Sequence, residues 1–313
     1  MGPLFLAERG PFLCTLRQMC PDRSRSSSAK IPAVRESRTS AGRAESREIA
    51  ELRRLKAEQP DLASAADLQI ELLQLQRRVQ GRVPLPSISL ETDHLNQLLT
   101  HGPILQFEHL PLDWSDMQFL LRATASAMRS HDALEELDFR RLEDLSREAG
   151  RLKAVLQSWY SSVRSGGSRL EPGAEGLESV LQQVMRPVLT RAAEAIMART
   201  DMAGWTHGSC PICGGEPDLA VITPAADRLL ICGRCAARWR FAQITCPFCL
   251  NSDRSRITSF ASRDGQYRLT ACDACQRYLK AYDARRASRP VLPVVDSVAT
   301  LPLDAAAIQR GYR

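Results

Sequence analysis

The spacing of apolar residues changes once along the chain, near residue 204. Before that point, apolar side chains recur every three or four positions, as at Ile49, Leu52 and Leu55. This period places them on one face of an α-helix, so it predicts an all-α domain over residues 46–204. Beyond it, prolines, glycines and short β-type runs such as "LAVIT" and "RLLIC" predict a second part built of strands and turns.

Local signals divide the helical half into separate elements. Pro60 ends the first predicted helix, and Ser64 with Asp67 has the spacing of a capping box for the second. Asp113 is a predicted N-cap, because it directly precedes a segment with a helical apolar face. Residues 132–164 predict one long amphipathic helix or two joined helices.

The two ends of the chain differ from the rest. Residues 1–45 are rich in Ser and Arg with few large apolar side chains, which predicts a disordered basic tail. A solvated tail is favoured over a basic arm for nucleic acid, and no role is assigned to Cys14 or Cys20. The C-terminal segment, 286–313, is predicted to pack on the body as a tail.

Composition excludes several classes of protein. The chain has 313 residues, 44% hydrophobic content and a formal net charge of +6, which suits a folded protein and does not demand an anionic partner. No apolar run is long enough for membrane insertion, and the N-terminal stretch is too broken for a secretory signal. We therefore expect a cytoplasmic protein, in which stable disulfides are disfavoured.

Four C-x-x-C pairs stand out in the second part. In a reducing compartment such pairs indicate metal binding or catalysis, and the spacing between successive pairs suits four-thiolate sites. Eighteen residues separate the first two pairs and 22 separate the last two. The predicted metal ligands are Cys210, Cys213, Cys232, Cys235, Cys246, Cys249, Cys272 and Cys275.

The turn chemistry supports this interpretation. In "CPICG", Pro211 fixes one backbone angle and Gly214 can take the positive φ that closes the turn. "CPFCL" puts Leu250 at that position, which makes the second site the less favourable one. Four thiolates suit Zn²⁺ or iron and close the coordination sphere, so each site is expected to be structural or an electron carrier.

Two groupings of the pairs are open. Sequential grouping gives a first module over 205–242 and a second over 243–285, whereas a cross-braced arrangement joins the first pair to the third. The near-repeat of a C-P-x-C pair followed by a plainer C-x-x-C favours sequential grouping. Thiol–disulfide exchange is disfavoured, since no βαβ unit surrounds any pair.

No catalytic constellation is present, so we do not expect an enzyme. The sequence lacks nucleophile-elbow, Walker and dinucleotide-binding motifs. His94, His101, His109 and His131 have no spacing that places two ligands on one helical face. We therefore assign no catalytic residue and no organic cofactor, and the helical half is interpreted as an interaction or scaffolding domain.

With these motifs identified, the sequence resembles the FdhE family of formate dehydrogenase accessory proteins. The resemblance is carried by "CPICGGEP", "LLICGRCAARWRFAQITCPFC", "ACDACQRYLKAYD" and "VDSVATLPLDAAAIQRGYR" and covers about residues 50–313. It implies a helical domain followed by two rubredoxin-like or zinc-ribbon modules, with iron favoured over zinc. It also implies a non-catalytic role in maturing formate dehydrogenase through contact with its catalytic subunit.

Two other functions are compatible with these motifs. An iron centre with four thiolates can cycle between two oxidation states, so the modules could adjust the redox state of a client enzyme. Nucleic-acid binding is less favoured, because the overall charge is modest and the arginines near the second module equally suit an exposed rim. Trp239 and Tyr278 are predicted to pack against the modules. The sequence carries no signal for oligomeric state.

Overall fold

Helices come first in the chain and strands follow, as the change in apolar spacing predicts. A computed structural model describes residues 45–162, 175–287 and 289–313. The predicted N-terminal tail lies outside this range except for its last residue, and Cys14 and Cys20 lie outside it too.

Amphipathic helices form the first half of the described chain. Their apolar faces point inward and their charged faces point to solvent, in the manner expected of surface helices around a shared core. In chain order they are α1 Arg47–Glu58, α2 Ala63–Gln80, α3 Thr92–His101, α4 Trp114–Ser130, α5 Glu136–Leu145, α6 Ala149–Ser162 and α7 Glu175–Met197. None of the helices in the described ranges is both long and apolar enough to cross a membrane.

The helix starts confirm one predicted cap and overturn another. Asp113 accepts a hydrogen bond from the Asp116 backbone N–H at 2.9 Å, as an N-cap does. The capping box predicted from Ser64 and Asp67 is wrong, because a 3₁₀ turn leads directly into α2 at Ala63. Asp67 instead accepts a hydrogen bond from the Lys56 ammonium at 2.8 Å.

A single six-stranded sheet contains both predicted modules. The strands are β1 Pro217–Ile222, β2 Arg228–Cys232, β3 Arg238–Phe241, β4 Ile257–Ala261, β5 Tyr267–Cys272 and β6 Arg277–Asp283. Their order across the sheet is β3-β2-β1-β6-β5-β4. The parallel pairing of β1 with β6 joins two antiparallel three-stranded halves, each of which carries two of the C-x-x-C pairs.

The largest buried cluster crosses from the helices into the first half of the sheet. It runs from Leu121 and Leu189 in the helices through Trp159 to Trp239 and the sulfur of Cys213. The first module therefore folds against the helical body as one core, since a small module with its own few apolar residues would bury little surface alone.

Two short helices close the chain against both parts. Helix α8, Pro293–Ala299, packs its Val295 and Val298 against the core of α1 and α2, and α9, Leu301–Gln309, covers β5 with Ala307. Buried ion pairs fix both helices, because the Asp296 carboxylate binds Arg289 and the Asp304 carboxylate binds Lys280. This C-terminal segment thereby links the helical body to the sheet.

Candidate metal centres

Four cysteines meet beside the helical body, and we call them the inner centre. Its members are Cys210, Cys213, Cys232 and Cys235, all buried, with their sulfur atoms within 4.8 Å of one another. The Sγ–Sγ distances from Cys210 to Cys235 and from Cys213 to Cys232 are both 3.5 Å. A tetrahedron of thiolates around a zinc-sized ion has edges of about 3.8 Å, whereas a disulfide holds its sulfurs at about 2.05 Å. The spacing therefore fits one tetrahedral ion.

The other four cysteines meet at the far half of the sheet, and we call them the outer centre. They are Cys246, Cys249, Cys272 and Cys275, and their sulfur atoms also lie within 4.8 Å of one another. Cys246 and Cys275 are 3.7 Å apart at Sγ, and so are Cys249 and Cys272. The cysteines are thus grouped in space sequentially, the arrangement that the near-repeat favours, and not in the cross-braced one.

The same turn builds all four C-x-x-C pairs. The residue after the second cysteine has positive φ and donates its N–H to the carbonyl of the first cysteine, at 2.8 to 3.0 Å. These residues are Gly214 at φ 76°, Ala236 at 58°, Leu250 at 61° and Gln276 at 56°. The sequence predicts positive φ at Gly214 and makes it unfavourable at Leu250, and both positions adopt it. Ala236 and Gln276 carry no glycine signal and were not predicted.

The thiol pKa values of the inner centre shift in opposite directions, because the cysteines differ in their hydrogen bonds. Burial raises the pKa of Cys210 and of Cys235. Hydrogen bonds from the neighbouring thiols of Cys210, Cys232 and Cys235 lower the pKa of Cys213 despite its burial. Once one thiol of the inner centre has lost its proton, the remaining thiols are harder to deprotonate unless a positive charge compensates the thiolates. A bound divalent cation supplies that charge, which couples its binding to release of thiol protons.

Backbone and amide donors surround the outer sulfurs. Burial raises the pKa of Cys246 and Cys275. Burial also acts to raise the pKa of Cys272, but hydrogen bonds from the N–H groups of Cys275 and Ala274 lower it overall. Asn251 adds a side-chain contact of 3.8 Å from Nδ2 to the Cys272 sulfur. Donors aimed at sulfur stabilise the thiolate form that a metal requires.

Positive side chains lie close to the inner centre. Arg186 on α7 is partly buried and has no carboxylate in ion-pair contact among the described residues. Burial lowers its pKa, and the charges of Asp218 and of the Cys232 and Cys235 sulfurs oppose that shift. A divalent ion with four thiolates carries a net charge of about −2, so a nearby guanidinium compensates it. The donor set and its surroundings fit a Cys₄ metal site.

Backbone hydrogen bonds fasten the inner centre to the helical body. The N–H groups of Ile104 and Leu105 donate to the carbonyls of Pro211 and Ile212 at 3.0 and 2.8 Å. Gln182 of α7 donates to the carbonyl of Gly233 at 3.0 Å. Both C-x-x-C turns of this centre are therefore held by residues that lie far away in sequence.

The outer centre is much more open. Cys249 is exposed and Cys275 is half-buried, whereas every inner cysteine is at most 2% exposed. The exposed Leu250 follows Cys249 directly. Solvent and small molecules thus reach Cys249 and Cys275 of the outer centre without unfolding of the chain, but they do not reach the inner cysteines.

Three long-range contacts connect the two centres. Arg277 makes a two-pronged ion pair with Glu216 at 2.7 Å, and its guanidinium lies 3.6 Å from the centroid of the Phe248 ring. The Arg228 guanidinium donates to the carbonyl of Thr245 at 2.9 Å. Gly208 lies so close to the backbone of Pro247 that a Cβ at position 208 would be 1.9 Å from that carbonyl oxygen. Sequence reasoning missed these residues, because nothing local marks contacts between separate turns.

The remaining sequence-predicted residues take ordinary structural roles. Trp239 is buried in the shared core, and its indole N–H donates to the His207 carbonyl at 3.1 Å. Tyr278 is half-buried and donates to Asp304 of α9 at 2.8 Å. His131 contacts Glu71 at 3.2 Å. In the described part of the chain, the only groups of potential metal ligands are the two sets of four cysteines.

Known proteins share part of this sequence. No family model matches it. A protein named FdhE homolog from Actinobacillus pleuropneumoniae is 28% identical over 126 residues, which cover 39% of this chain and 41% of that protein. The FdhE homolog of Haemophilus ducreyi is 27% identical over 126 residues, with the same shares. The matched segment therefore spans less than half the length of these curated relatives.

The fold extends the likeness beyond that segment. The crystal structure of the FdhE protein from Pseudomonas aeruginosa superposes with a TM-score of 0.58 at 22% sequence identity, and covers 85% of this chain and 91% of that one. The resemblance to the FdhE family is confirmed.

The FdhE likeness agrees with the fold class predicted from the sequence. A helical part is followed by a sheet with two sets of four cysteines, arranged as two zinc-ribbon-like units. The sequence predicts two successive modules. The structure adds that both units belong to one sheet, because β1 pairs with β6.

Proposed function

We propose that this chain is a non-catalytic accessory factor for the maturation of formate dehydrogenase, and that it binds the catalytic subunit of that enzyme. It would carry one iron or zinc ion in each four-cysteine centre. The observation that carries this proposal is the presence of two sets of four cysteines, each with its sulfur atoms within 4.8 Å of one another, on a fold shared with an FdhE protein. The cytoplasm is its proposed location, because the sequence shows neither a membrane-spanning apolar run nor the apolar core of a secretory signal.

The geometry favours binding over catalysis. Four protein thiolates leave no coordination position for a water molecule or a substrate, so these centres suit a structural or electron-carrying ion. The inner centre would hold the two halves of the core together when loaded.

Capture of the client tests the proposal. The full chain with an affinity tag should co-purify with the catalytic subunit of formate dehydrogenase, and deletion of its gene should abolish formate oxidation. A matched variant with Cys210 and Cys213 both changed to Ser should fail to restore activity. The proposal is wrong if the tagged protein captures no such subunit and the deletion leaves formate oxidation intact.

Electron transfer is the second candidate function. The exposure of Cys249 favours it, since electrons exchange best through a ligand that a partner can approach. Anaerobically purified protein should then contain iron, show thiolate-to-iron charge-transfer absorption and have a reversible potential. Colourless protein with two zinc ions per chain would exclude this function.

Nucleic-acid binding gains no support from four arginines of the second half, which are ion-paired within the chain. Arg268 and Arg285 bind the carboxylate of Asp283, and Arg277 binds Glu216. Arg289 binds Asp296. These guanidinium groups are occupied by carboxylates of the same chain and are therefore poorly placed to neutralise phosphates. Binding to DNA or RNA that persists at about 0.2 M salt would reverse this conclusion.

A further inference from the structure

The outermost strand of the second half, β4, has an open edge. It pairs with β5 on one side, and it is the terminal strand in the order of the sheet. Its sequence, ITSFA, contains no proline and no charged residue, and its pairing with β5 shows no register shift. Natural sheet edges are usually protected by such features, so an edge without them can accept a further strand.

The hydrogen-bond pattern shows which groups face outward. On either side of β4, the Arg256 carbonyl accepts from the N–H of Asp273, the residue after β5, and the Ser262 N–H donates to the carbonyl of Tyr267 in β5. In an antiparallel pair, successive residues point their backbone N–H and C=O groups alternately toward the partner strand and away from it. The backbone groups of Thr258 and Phe260 therefore point to β5, and those of Ser259 and Ala261 point to the open edge. Within the described chain, the N–H and C=O groups of Ser259 and Ala261 have no hydrogen-bond partner. They form a template for one more strand.

The opposite edge of the sheet is protected. Strand β3 has only four residues, and two of them, Arg238 and Arg240, carry charge. The Arg240 guanidinium pairs with Asp227 at 3.2 Å beside the edge. An added strand would have to displace this ion pair at β3, whereas no ion pair blocks the edge of β4 in the described chain. The β4 edge is therefore the one that can accept a further strand.

Positive charge at both ends of β4 selects the kind of partner. Arg254 precedes the strand and Arg263 follows it; both are exposed, and neither has an ion pair among the described residues. The nearby carboxylates of Asp253 and Asp264 accept hydrogen bonds from backbone N–H groups within their own turns. Two unpaired guanidinium groups about 17 Å or more apart suit an extended segment with acidic residues along its length.

We propose that β4 binds an extended acidic segment of a partner protein by strand addition. Backbone hydrogen bonds to Ser259 and Ala261 provide the pairing, and Arg254 and Arg263 select negative charge. Strand addition of a second copy through β4 is disfavoured, because it would bring these arginines together. Only the identification of the partner as formate dehydrogenase rests on the proposed function. The proposed strand addition at β4 is independent of it.

Peptide binding tests the mode directly. The probe is a fluorescent peptide of alternating Val and Glu, added to the full metal-loaded chain. Ser259→Pro removes an outward N–H without removing a bond to β5, so it should weaken binding about tenfold, whereas Ser259→Ala should leave binding unchanged. Equal melting temperatures for both variants would show that the fold is intact.

Charge and hydrogen exchange provide further readouts. Arg254→Glu combined with Arg263→Glu should abolish binding of the Val–Glu peptide and permit binding of a Val–Lys peptide. In the wild-type chain, the bound Val–Glu peptide should slow exchange of the Ser259 and Ala261 amides. Undetectable peptide binding, equal binding to Ser259→Pro, or self-association through β4 would each overturn the proposal.

A crosslinking experiment separates this proposal from the proposed function. A photo-crosslinking residue at position 259 should link the dehydrogenase subunit, and the same residue at position 240 on β3 should not. If the subunit co-purifies but crosslinks only from 240, strand addition at β4 is wrong and the accessory function stands. If the peptide binds at β4 but no dehydrogenase subunit is captured, the binding mode stands and the accessory function fails.

Discussion

The guanidinium of Arg234 lies 3.9 Å from the centroid of the Trp159 ring and donates hydrogen bonds to the carbonyls of Trp159 and Tyr160. These carbonyls belong to the last turn of α6, where a positive charge complements the helix dipole. Arg234 itself lies between Cys232 and Cys235. A single side chain thus connects the inner centre to the helical body.

We expect Arg234→Ala to lower the free energy of unfolding by about 2–4 kcal/mol. The change removes two hydrogen bonds from a buried guanidinium and its contact with an indole ring. Arg234→Lys should recover only part of the loss, because an ammonium lacks the planar fork. Urea denaturation of the metal-loaded protein measures both.

Arg240→Ala is the matched control. Arg240 lies on the same half of the sheet, but its guanidinium is exposed and makes a surface ion pair, so its removal should cost less than about 1 kcal/mol. If Arg234→Ala is as mild as Arg240→Ala, then Arg234 does not fasten the inner centre.

The two centres should lose metal at different rates. A chelator added to protein with two ions per chain should remove one ion rapidly and the other slowly, because Cys249 is exposed while the inner sulfurs are buried. Cys249→Ser should eliminate the rapid phase and preserve the slow one. Release of both ions in one phase would show that the exposure of the outer sulfurs has no kinetic effect.

Leu250→Gly should stabilise the protein by about 1 kcal/mol. Leu250 holds a φ of 61°, which is costly for a residue with a Cβ, and its side chain is 59% exposed, so little packing is lost. Leu137→Gly provides the contrast, since Leu137 is equally exposed but lies in the first turn of α5, where glycine relieves no positive φ and should not stabilise the protein. Melting temperatures that move in the same direction for both variants would contradict the strain at Leu250.

Asp283→Asn should lower the free energy of unfolding at neutral pH and reduce the dependence of that free energy on pH below about pH 4. Hydrogen bonds from Arg285, with a further one from Arg268, hold the pKa of the buried Asp283 carboxyl well below its usual range despite its desolvation. The stabilisation is therefore complete above the unfolded pKa of about 3.9 and is lost as pH falls toward the lowered folded pKa.

The difference between wild type and Asp283→Asn is the quantity to measure, because both proteins lose thiolate-bound metal in acid. This difference in unfolding free energy should be constant from about pH 7 to 5 and should shrink below about pH 4. A difference that stays constant down to pH 2 would show that the Asp283 carboxylate is not selectively stabilised in the fold.

Much of the candidate site could be predicted from local sequence. The cysteine spacing and the near-repeat gave the two groups of four, and Gly214 marked the positive φ of the first turn. The start of α4 was predicted because a cap such as Asp113 acts on its own next turn. Interactions within a few residues leave a readable pattern, and these features depend on nothing more distant.

What the sequence did not reveal depends on distant pairing. The register of β1 with β6, which makes one sheet of two modules, joins residues such as Leu219 and Lys280 that lie far apart in the chain. The hydrogen bonds from Arg234 to α6 are of the same kind. The predicted cap at Ser64 is wrong for a local reason, since the 3₁₀ turn at Pro60–Leu62 starts the helix before that residue.

The most direct test of the account is metal content and coordination in the full chain purified without oxygen. We expect two ions of iron or zinc per chain, and X-ray absorption should show four sulfur neighbours per ion at about 2.3 Å. Substituting Cys213 and Cys249 by Ser, one at a time, should each remove one ion. A chain that binds no transition metal, or binds it through oxygen and nitrogen ligands, would contradict the central claim.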